Sequence, residues 1–462
     1  MRICFILEGC YPYIRGGVSA WAHAYILSNP DIEFVLWTIH AARKYTGTPV
    51  YELPPNVVET REVYLEDAAL PQRRRVRGKT DCTAYIDSMK TFLDSGSHDW
   101  DSVFAAAAGH TLSPDATVSS REFLHFAEEL SDQSEGRIGL SDAYYGLKSM
   151  FLPLLYLLSQ PVPQADLYHS AVAGYGGILG AVARYQTGKP FVLTEHGIYP
   201  REREEELMQA DWFAASMRRY WILSFYNFSR CAYHFADRVT ALFAEASKKQ
   251  AEIGCDVQKC RVVGNGIHTE RFINIPARQD TNEVNIGAFV RFAPIKDVKT
   301  LIYAFYDLQK KINHVQLYIL GGTDDEAYRR ECMDLIRRLK LDNVHVEGHV
   351  DTAAYLERVD FTVMTSISEG QPLAILESFA AARPCVCTNV GNCAALIDED
   401  NMPGGICCHP MDIQAISAAM ERLCLDPALR RKMGENGKTR VLADFTHELM
   451  KQRYLDVYKE VM

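Results

Sequence analysis

Phe361-Thr-Val-Met-Thr-Ser-Ile-Ser-Glu369-Gly-Gln-Pro-Leu-Ala-Ile-Leu-Glu377 is the stretch on which the reading of this chain turns. Its first five residues form an apolar, β-branched run that predicts a buried strand. Gly370 and Pro372 then impose a turn, and an apolar helix starts behind them. A helix entered through Gly370-Gln371-Pro372 leaves the backbone N–H groups of its first turn without intrahelical acceptors. Those groups, with the helix dipole, suit an anionic phosphate. A carboxylate on each side of that seat, Glu369 and Glu377, suits a ligand rich in hydroxyls. A nucleotide sugar has both features, a diphosphate in the middle and hydroxyls on sugar and ribose.

Outward from this segment the chain reads as two α/β series. The second runs through Val284–Val290, Val315–Leu320, Val344–Glu347, Phe361–Thr365 and Pro384–Thr388, with helical stretches between. The first opens with Arg2–Leu7, a loop from Glu8 to Gly17 and a helix from about Val18. It continues through Phe34–Ile39, Asp166–Ser170, Phe191–Thr194 and Arg238–Leu242, and Arg261–Ile267 closes it. One long helix is predicted from about Glu204 to Phe235. Between about 45 and 160 the pattern degrades into an insertion, largely helical in its second half. A polar stretch near Pro276 to Asn285 reads as a linker. The fold class is therefore α/β, two Rossmann-like domains facing across a cleft. The expected boundaries are 1–275 with the insertion, 276–445, and a terminal helix over 446–462. In such sheets ligands bind beyond the carboxyl ends of strands, and chemistry is sought there.

Composition narrows the classes. With 49 Lys and Arg against 59 Asp and Glu, the net charge is −10, which argues against a nucleic-acid binder. The 13 cysteines form no C-x-x-C pair and no zinc-finger spacing with histidine, and read as buried free thiols in a reducing compartment. The N-terminus carries no signal-peptide pattern, and the expected location is the cytoplasm. Met150–Leu158, the longest apolar run, is short for a bilayer and contains Pro153; it predicts a buried helix. The basic run Arg73–Lys79 reads as a solvated loop or as a docking patch for an acidic partner or a membrane surface.

Arg291 and Lys296 follow the first strand of the second series, where two cations can hold a diphosphate and neutralise a leaving group. Gly16-Gly17 lies between the first strand and first helix and lets a backbone approach a ligand closely. It is not a G-x-G-x-x-G fingerprint, and the second strand ends at His40 rather than an acid, so a nicotinamide enzyme is disfavoured. His169 and His196 each follow a strand; each is either a cleft residue or a structural histidine. Arg201 and Arg203 either position an acceptor or cap a helix. Asp324-Asp325 reads as a helix cap rather than a metal site, and no D-x-D segment is placed for Mg²⁺.

Together these features resemble the retaining GT-B glycosyltransferases of family GT4. Glu369…Glu377 looks like that family's E-x7-E motif, Arg291 with Lys296 like its G-R-x4-K pair, Gly16-Gly17 like its glycine loop, and Asn265-Gly-Ile-x-x-Glu-Arg-Phe272 like its N-G-I/V-D…F segment. The resemblance implies that Glu369 contacts the donor sugar and Glu377 the ribose. It implies that Gly17, Gly370 and the backbone of Pro372, Leu373 and Ala374 surround sugar and phosphate. Val350 would face the nucleobase and His169 the anomeric carbon. It further implies front-face retention without a metal or other cofactor, a UDP-hexose or UDP-N-acetylhexosamine donor, a polysaccharide acceptor, and a terminal helix that crosses back to the first domain. Membrane-bound export proteins are the expected partners, met at the inner face of the membrane through the insertion. A nucleotide-sugar epimerase on the same double plan, and a non-catalytic sugar-nucleotide sensor, remain alternatives.

Overall fold

The computed structural model describes residues 1–9, 11–70, 82–96, 98–109, 113–134, 137–210, 214–278, 282–398 and 401–462. The chain divides into two units, Met1–Val262 with Leu455–Met462, and Val263–Tyr454. Residues 263–275 thus go with the second unit rather than the first. Asn265 N–H donates to Gln371 Oε1 at 2.6 Å, and Ile267 forms a parallel bridge to Thr446.

The first unit is a seven-stranded parallel sheet. Its strands are β1 (Arg2–Glu8), β2 (Glu33–His40), β3 (Val57–Tyr64), β4 (Leu167–Ser170), β5 (Phe191–Glu195), β6 (Arg238–Ala241) and β7 (Cys260–Val262), in the order β3-β2-β1-β4-β5-β6-β7. The central strands are apolar on both faces because helices cover both. In β1 the five residues Ile3 to Leu7 are all buried.

Two expectations for this unit change. The segment assigned wholly to the insertion contains β3, which extends the sheet beyond β2. It is an edge strand of alternating exposure carrying Glu59, Arg61 and Glu62, so no continuous apolar run marks it. The single helix expected from Glu204 to Phe235 is two, Tyr199–Gln209 and Arg218–Phe235. Between them the turn Ala215–Met217 seats Met217 against Gly146, where a Cβ would meet its side chain at 2.8 Å. A tertiary anchor here overrides the local helical pattern.

Helices fill the insertion from Thr83 to Leu158. It is not an appendage, because Phe92, Phe123, Phe151 and Leu154 share one core with Ile6, Val35 and Trp37 of the sheet. The expected buried helix at Met150–Leu158 is the second half of Leu140–Leu158. The basic run Arg73–Lys79 lies outside the described residues. Among the described residues no helix is long and apolar enough to cross a membrane.

The second unit is a six-stranded parallel sheet of β8 (Val284–Phe289), β9 (Val315–Leu320), β10 (Val344–Glu347), β11 (Phe361–Met364), β12 (Cys385–Thr388) and β13 (Gly405–Cys408). Its order is β10-β9-β8-β11-β12-β13, the doubly wound arrangement. No sequence pattern marks β13, because Gly405 and two cysteines hide its character. The last turns of the helix His447–Val461 belong to the first unit, where Glu460 pairs with Arg238 and Arg261 at 2.8 and 2.9 Å.

Candidate functional site

The strand order of the second unit reverses between β8 and β11, and a crevice opens where such neighbours diverge. The loops that follow these two strands carry the expected residues. After β8 the chain makes a turn, Pro294–Lys296, and Asp297 takes a left-handed conformation (φ 44°) to cap the helix Val298–Gln309 through Thr300 N–H. The loop after β11 is stitched to that turn. Thr365 Oγ1 donates to Asp297 O at 3.0 Å, and Ile367 N–H donates to Ile295 O at 2.8 Å.

This stitching brings Lys296 and Glu369 together. Lys296 Nζ lies 2.6 Å from Glu369 Oε1, and Ser366 Oγ donates to the same oxygen at 2.6 Å. Their side chains are 19% and 12% exposed, shielded enough for the pair to be rigid yet open to an incoming ligand. Both line a cavity of about 350 Å³ with Arg291, Val350, Leu373 and Ala374. Arg291 stands at the more open side, paired with Asp324 at 2.7 Å. Asp325 caps the helix Glu326–Arg338 through Ala327 and Tyr328 N–H, as expected of that acidic pair.

The helix Leu373–Ala380 begins at Pro372 with no side-chain cap. The N–H groups of its first turn therefore have no side-chain acceptor at the point where Pro372, Leu373 and Ala374 line the cavity. Gly370 O accepts from Asn392 N–H at 2.9 Å. Behind it, Gly391 (φ +54°) presses against the loop: a Cβ there would lie 2.0 Å from Glu369 O. Gly321 (φ +156°) is equally constrained, a Cβ meeting Val290 O at 2.3 Å.

Glu377 sits one turn further along the same helix and is not among the lining residues of the cavity. Burial pushes its carboxyl up to about 7, with Arg271 opposing that rise. Arg271 itself pairs with Asp351 at 3.1 Å.

In the first unit the residues fare differently. His169 is 1% exposed and its two ring nitrogens are committed, Nδ1 to Tyr458 OH and Nε2 to Thr194 Oγ1, each at 2.7 Å. It lies within β4 rather than after it, so the strand carries its ring into the interior. The expectation that it faces a reacting carbon is not met by this geometry. His196, just after β5, packs its ring edge-on to Trp21 at 4.7 Å. Its Nε2 is buried without a hydrogen-bond partner, and burial pulls the imidazole down to about 4. Arg201 pairs with Glu205 at 3.2 Å and Arg203 with Glu206 at 2.8 Å, both on the helix Tyr199–Gln209. Gly16 and Gly17 open the helix Gly17–Leu27, also without a side-chain cap, and a Cβ on either would meet nothing within 4 Å.

Several contributors were not singled out from the sequence. Ser366 precedes the E-x7-E stretch by three residues, and its hydroxyl is the sequence signal for a partner to the Glu369 carboxylate. Gly391 carries a weaker signal, Asn389-Val-Gly-Asn392 after a strand, which marks only a turn. Among the described residues no group of three or more His, Cys, Asp or Glu side chains gathers as a metal site.

Two parallel Rossmann-like sheets, with this crevice at the switch point of the second, are the GT-B glycosyltransferase architecture. Sucrose-phosphate synthase from Thermosynechococcus elongatus superposes with a TM-score of 0.63 at 19% identity, over 99% of this chain and 98% of that one. HepE from Anabaena, solved in complex with UDP and glucose, superposes with a TM-score of 0.62 at 15% identity over 100% of both. The chain belongs to the family described as "Domain of unknown function (DUF3492)", whose model matches residues 1–258. Residues 271–440 match the model "Glycosyl transferases group 1".

Curated relatives are enzymes of sugar transfer by name. The MMP alpha-(1->4)-mannosyltransferase of Mycolicibacterium hassiacum is 24% identical over 282 residues, 60% of this chain and 66% of the relative. The glycogen synthase of Mycobacterium tuberculosis is 26% identical over 234 residues, 49% of this chain and 52% of the relative. The chain thus spans between half and two thirds of the length of these relatives.

Proposed function

We propose that this protein is a retaining glycosyltransferase that moves a hexose or N-acetylhexosamine from UDP to a growing polysaccharide, in the manner of PelF in exopolysaccharide and biofilm-matrix synthesis. The observation that carries the reading is the cavity in which Lys296, Glu369, Arg291 and an uncapped helix start converge. In this reading the donor diphosphate lies against the N–H groups of Leu373 and Ala374, with Lys296 and Arg291 neutralising the charge that grows on the leaving group. Glu369 accepts hydrogen bonds from sugar hydroxyls and exchanges its contact with Lys296 for one with the ligand. Backbone groups around Val350 meet the nucleobase. His196, Arg201 and Arg203 serve the acceptor. Cations and N–H groups meet the phosphate charge, so no metal is required, and transfer should persist in chelator. A cytoplasmic location with recruitment to membrane-bound export proteins completes the proposal.

Thermal-shift measurement against UDP-, GDP- and ADP-sugars tests the donor class. A rise in Tm with UDP-sugars alone is expected, of several degrees at ligand concentrations about 100-fold above Kd. A preference for GDP- or ADP-sugars would overturn the UDP assignment. Turnover of UDP-N-acetylglucosamine without an acceptor would turn the reading toward an epimerase.

Glu377 gives a pH signature. Its folded carboxyl lies at about 7, above the ordinary carboxylate range. Ribose hydroxyls donate to a carboxylate, so binding favours the ionised form and draws that value down. Affinity for a UDP-sugar, whose diphosphate does not titrate in this range, should therefore tighten roughly ninefold from about pH 6 to about pH 8. Glu377→Gln should flatten the profile and hold it at the weaker end. A wild-type affinity independent of pH would place the ribose elsewhere.

A further inference from the structure

β12 and β13 run in parallel register with Cys387 directly opposite Cys407. Their sulfurs are 4.0 Å apart. Neighbouring strands are spaced about 4.8 Å, within the roughly 4.4–6.8 Å that separates disulfide-linked Cα atoms, so a modest movement would let the two sulfurs bond. The two thiols differ in access. Cys387 is fully buried, whereas Cys407 is part-buried and lines an open cavity of about 460 Å³ at the free edge of β13. The Cys387 thiol donates to the Cys407 sulfur, which holds the Cys407 thiol below its ordinary value and favours its thiolate. A part-exposed thiol beside a buried one is the arrangement of an attacking and a resolving cysteine.

The strand ends here are bonded to the donor cavity. Directly after Cys387, Thr388 Oγ1 donates to Ser366 O at 2.6 Å. Directly after that, Asn389 N–H donates to Cys408 O at 2.7 Å. Asn392 N–H holds Gly370 O, and Gly391 packs on Glu369 O with no room to spare. Any displacement of the Cys387 backbone is thus passed to the loop that presents Glu369.

We propose that Cys407 and Cys387 form a peroxide-responsive dithiol whose closure to a disulfide pulls the Thr388–Asn392 loop and weakens donor binding. The coupling to the donor rests on the function proposed above; the dithiol chemistry does not. In the first step the Cys407 thiolate attacks hydrogen peroxide. An S–O bond forms, the O–O bond breaks, and hydroxide leaves and is protonated to water. In the second, the Cys387 sulfur displaces the sulfenic hydroxyl. The S–S bond forms, the S–O bond breaks, and the Cys387 proton leaves with that hydroxyl as a second water. The two thiols are oxidised by two electrons and the peroxide is reduced to two waters. A thiol reductant reverses the link by exchange.

The test treats the full chain with hydrogen peroxide and maps its peptides without reduction, while UDP binding is measured before oxidation, after it and after dithiothreitol. A Cys387–Cys407 cross-link is expected, with at least a tenfold loss of UDP affinity that dithiothreitol restores. Cys407→Ala and Cys407→Ser should both keep their affinity through the same treatment. Absence of that cross-link, a Cys387–Cys393 link in its place, or a cross-link with unchanged UDP affinity would overturn the proposal, as would the same peroxide sensitivity in the Cys407 variants. A reduced protein that binds no UDP would sink the donor-site reading and with it the coupling, while the peptide map still decides the dithiol.

Discussion

A Glu369→Gln variant is expected to lose transfer by about 100- to 1,000-fold while binding UDP as well as the wild type or several-fold better. The two effects separate because the proposed mechanism gives Glu369 two roles. Its Oε1 is shared by Lys296 Nζ and Ser366 Oγ, both at 2.6 Å. A phosphate that enters must draw Lys296 away from that carboxylate. Removing the charge releases the cation in advance, which favours the diphosphate. In the proposed mechanism the same change removes the acceptor for the sugar hydroxyls as charge develops, so the rate falls. Steady-state kinetics on a UDP-sugar, beside calorimetry with UDP, distinguishes this from misfolding, which would lower both together. Undiminished transfer would mean that the reacting sugar sits elsewhere.

Gly391→Ala should be nearly as damaging although the residue is not among those lining the cavity. Its φ of +54° is costly for a residue with a Cβ, by about 1–2 kcal/mol. The added carbon would also overlap Glu369 O, at 2.0 Å, and Gly370 O, at 2.6 Å. The cheapest relief is to move the Glu369–Gly370 loop, because Gly391 is itself held between β12 and the Asn392 bond to Gly370. We expect transfer to fall about 100-fold and Tm to drop by several degrees, from roughly 2–3 kcal/mol of lost stability. Gly47→Ala is the control, since a Cβ there meets nothing within 4 Å and should change neither quantity. Normal activity in the Gly391 variant would show that the loop tolerates displacement and that Glu369 is not held as tightly as the bonds imply.

Much of the fold is legible from strand chemistry alone. Apolar β-branched runs such as Phe361–Thr365 and Val315–Leu320 can hardly be anything but central parallel strands. β3 escapes the same reading because its alternating exposure places Glu59, Arg61 and Glu62 in it, which look like loop, and β13 because Gly405 and two cysteines stand where a β-branched run would mark a strand. At the site, Glu369, Arg291 and Lys296 stand out because charges just after strands call for a purpose or a partner, and all three line one cavity; Glu377 lies along the following helix and outside that lining. His169 misled for the complementary reason. A histidine near a strand end looks functional until its strand is seen to bury it against Thr194 of β5 and Tyr458 of the final helix, the latter 289 residues away in sequence. No local pattern encodes such a partner.

That distant tyrosine bears on how the molecule can be dissected. A recombinant fragment cut at Val262 would lack Tyr458 and the Glu460 carboxylate that Arg238 and Arg261 share. It would keep its sheet but lose the tail that completes its interior. Separate production of the amino-terminal half therefore calls for grafting the final eight residues back, through a short loop or as an added peptide.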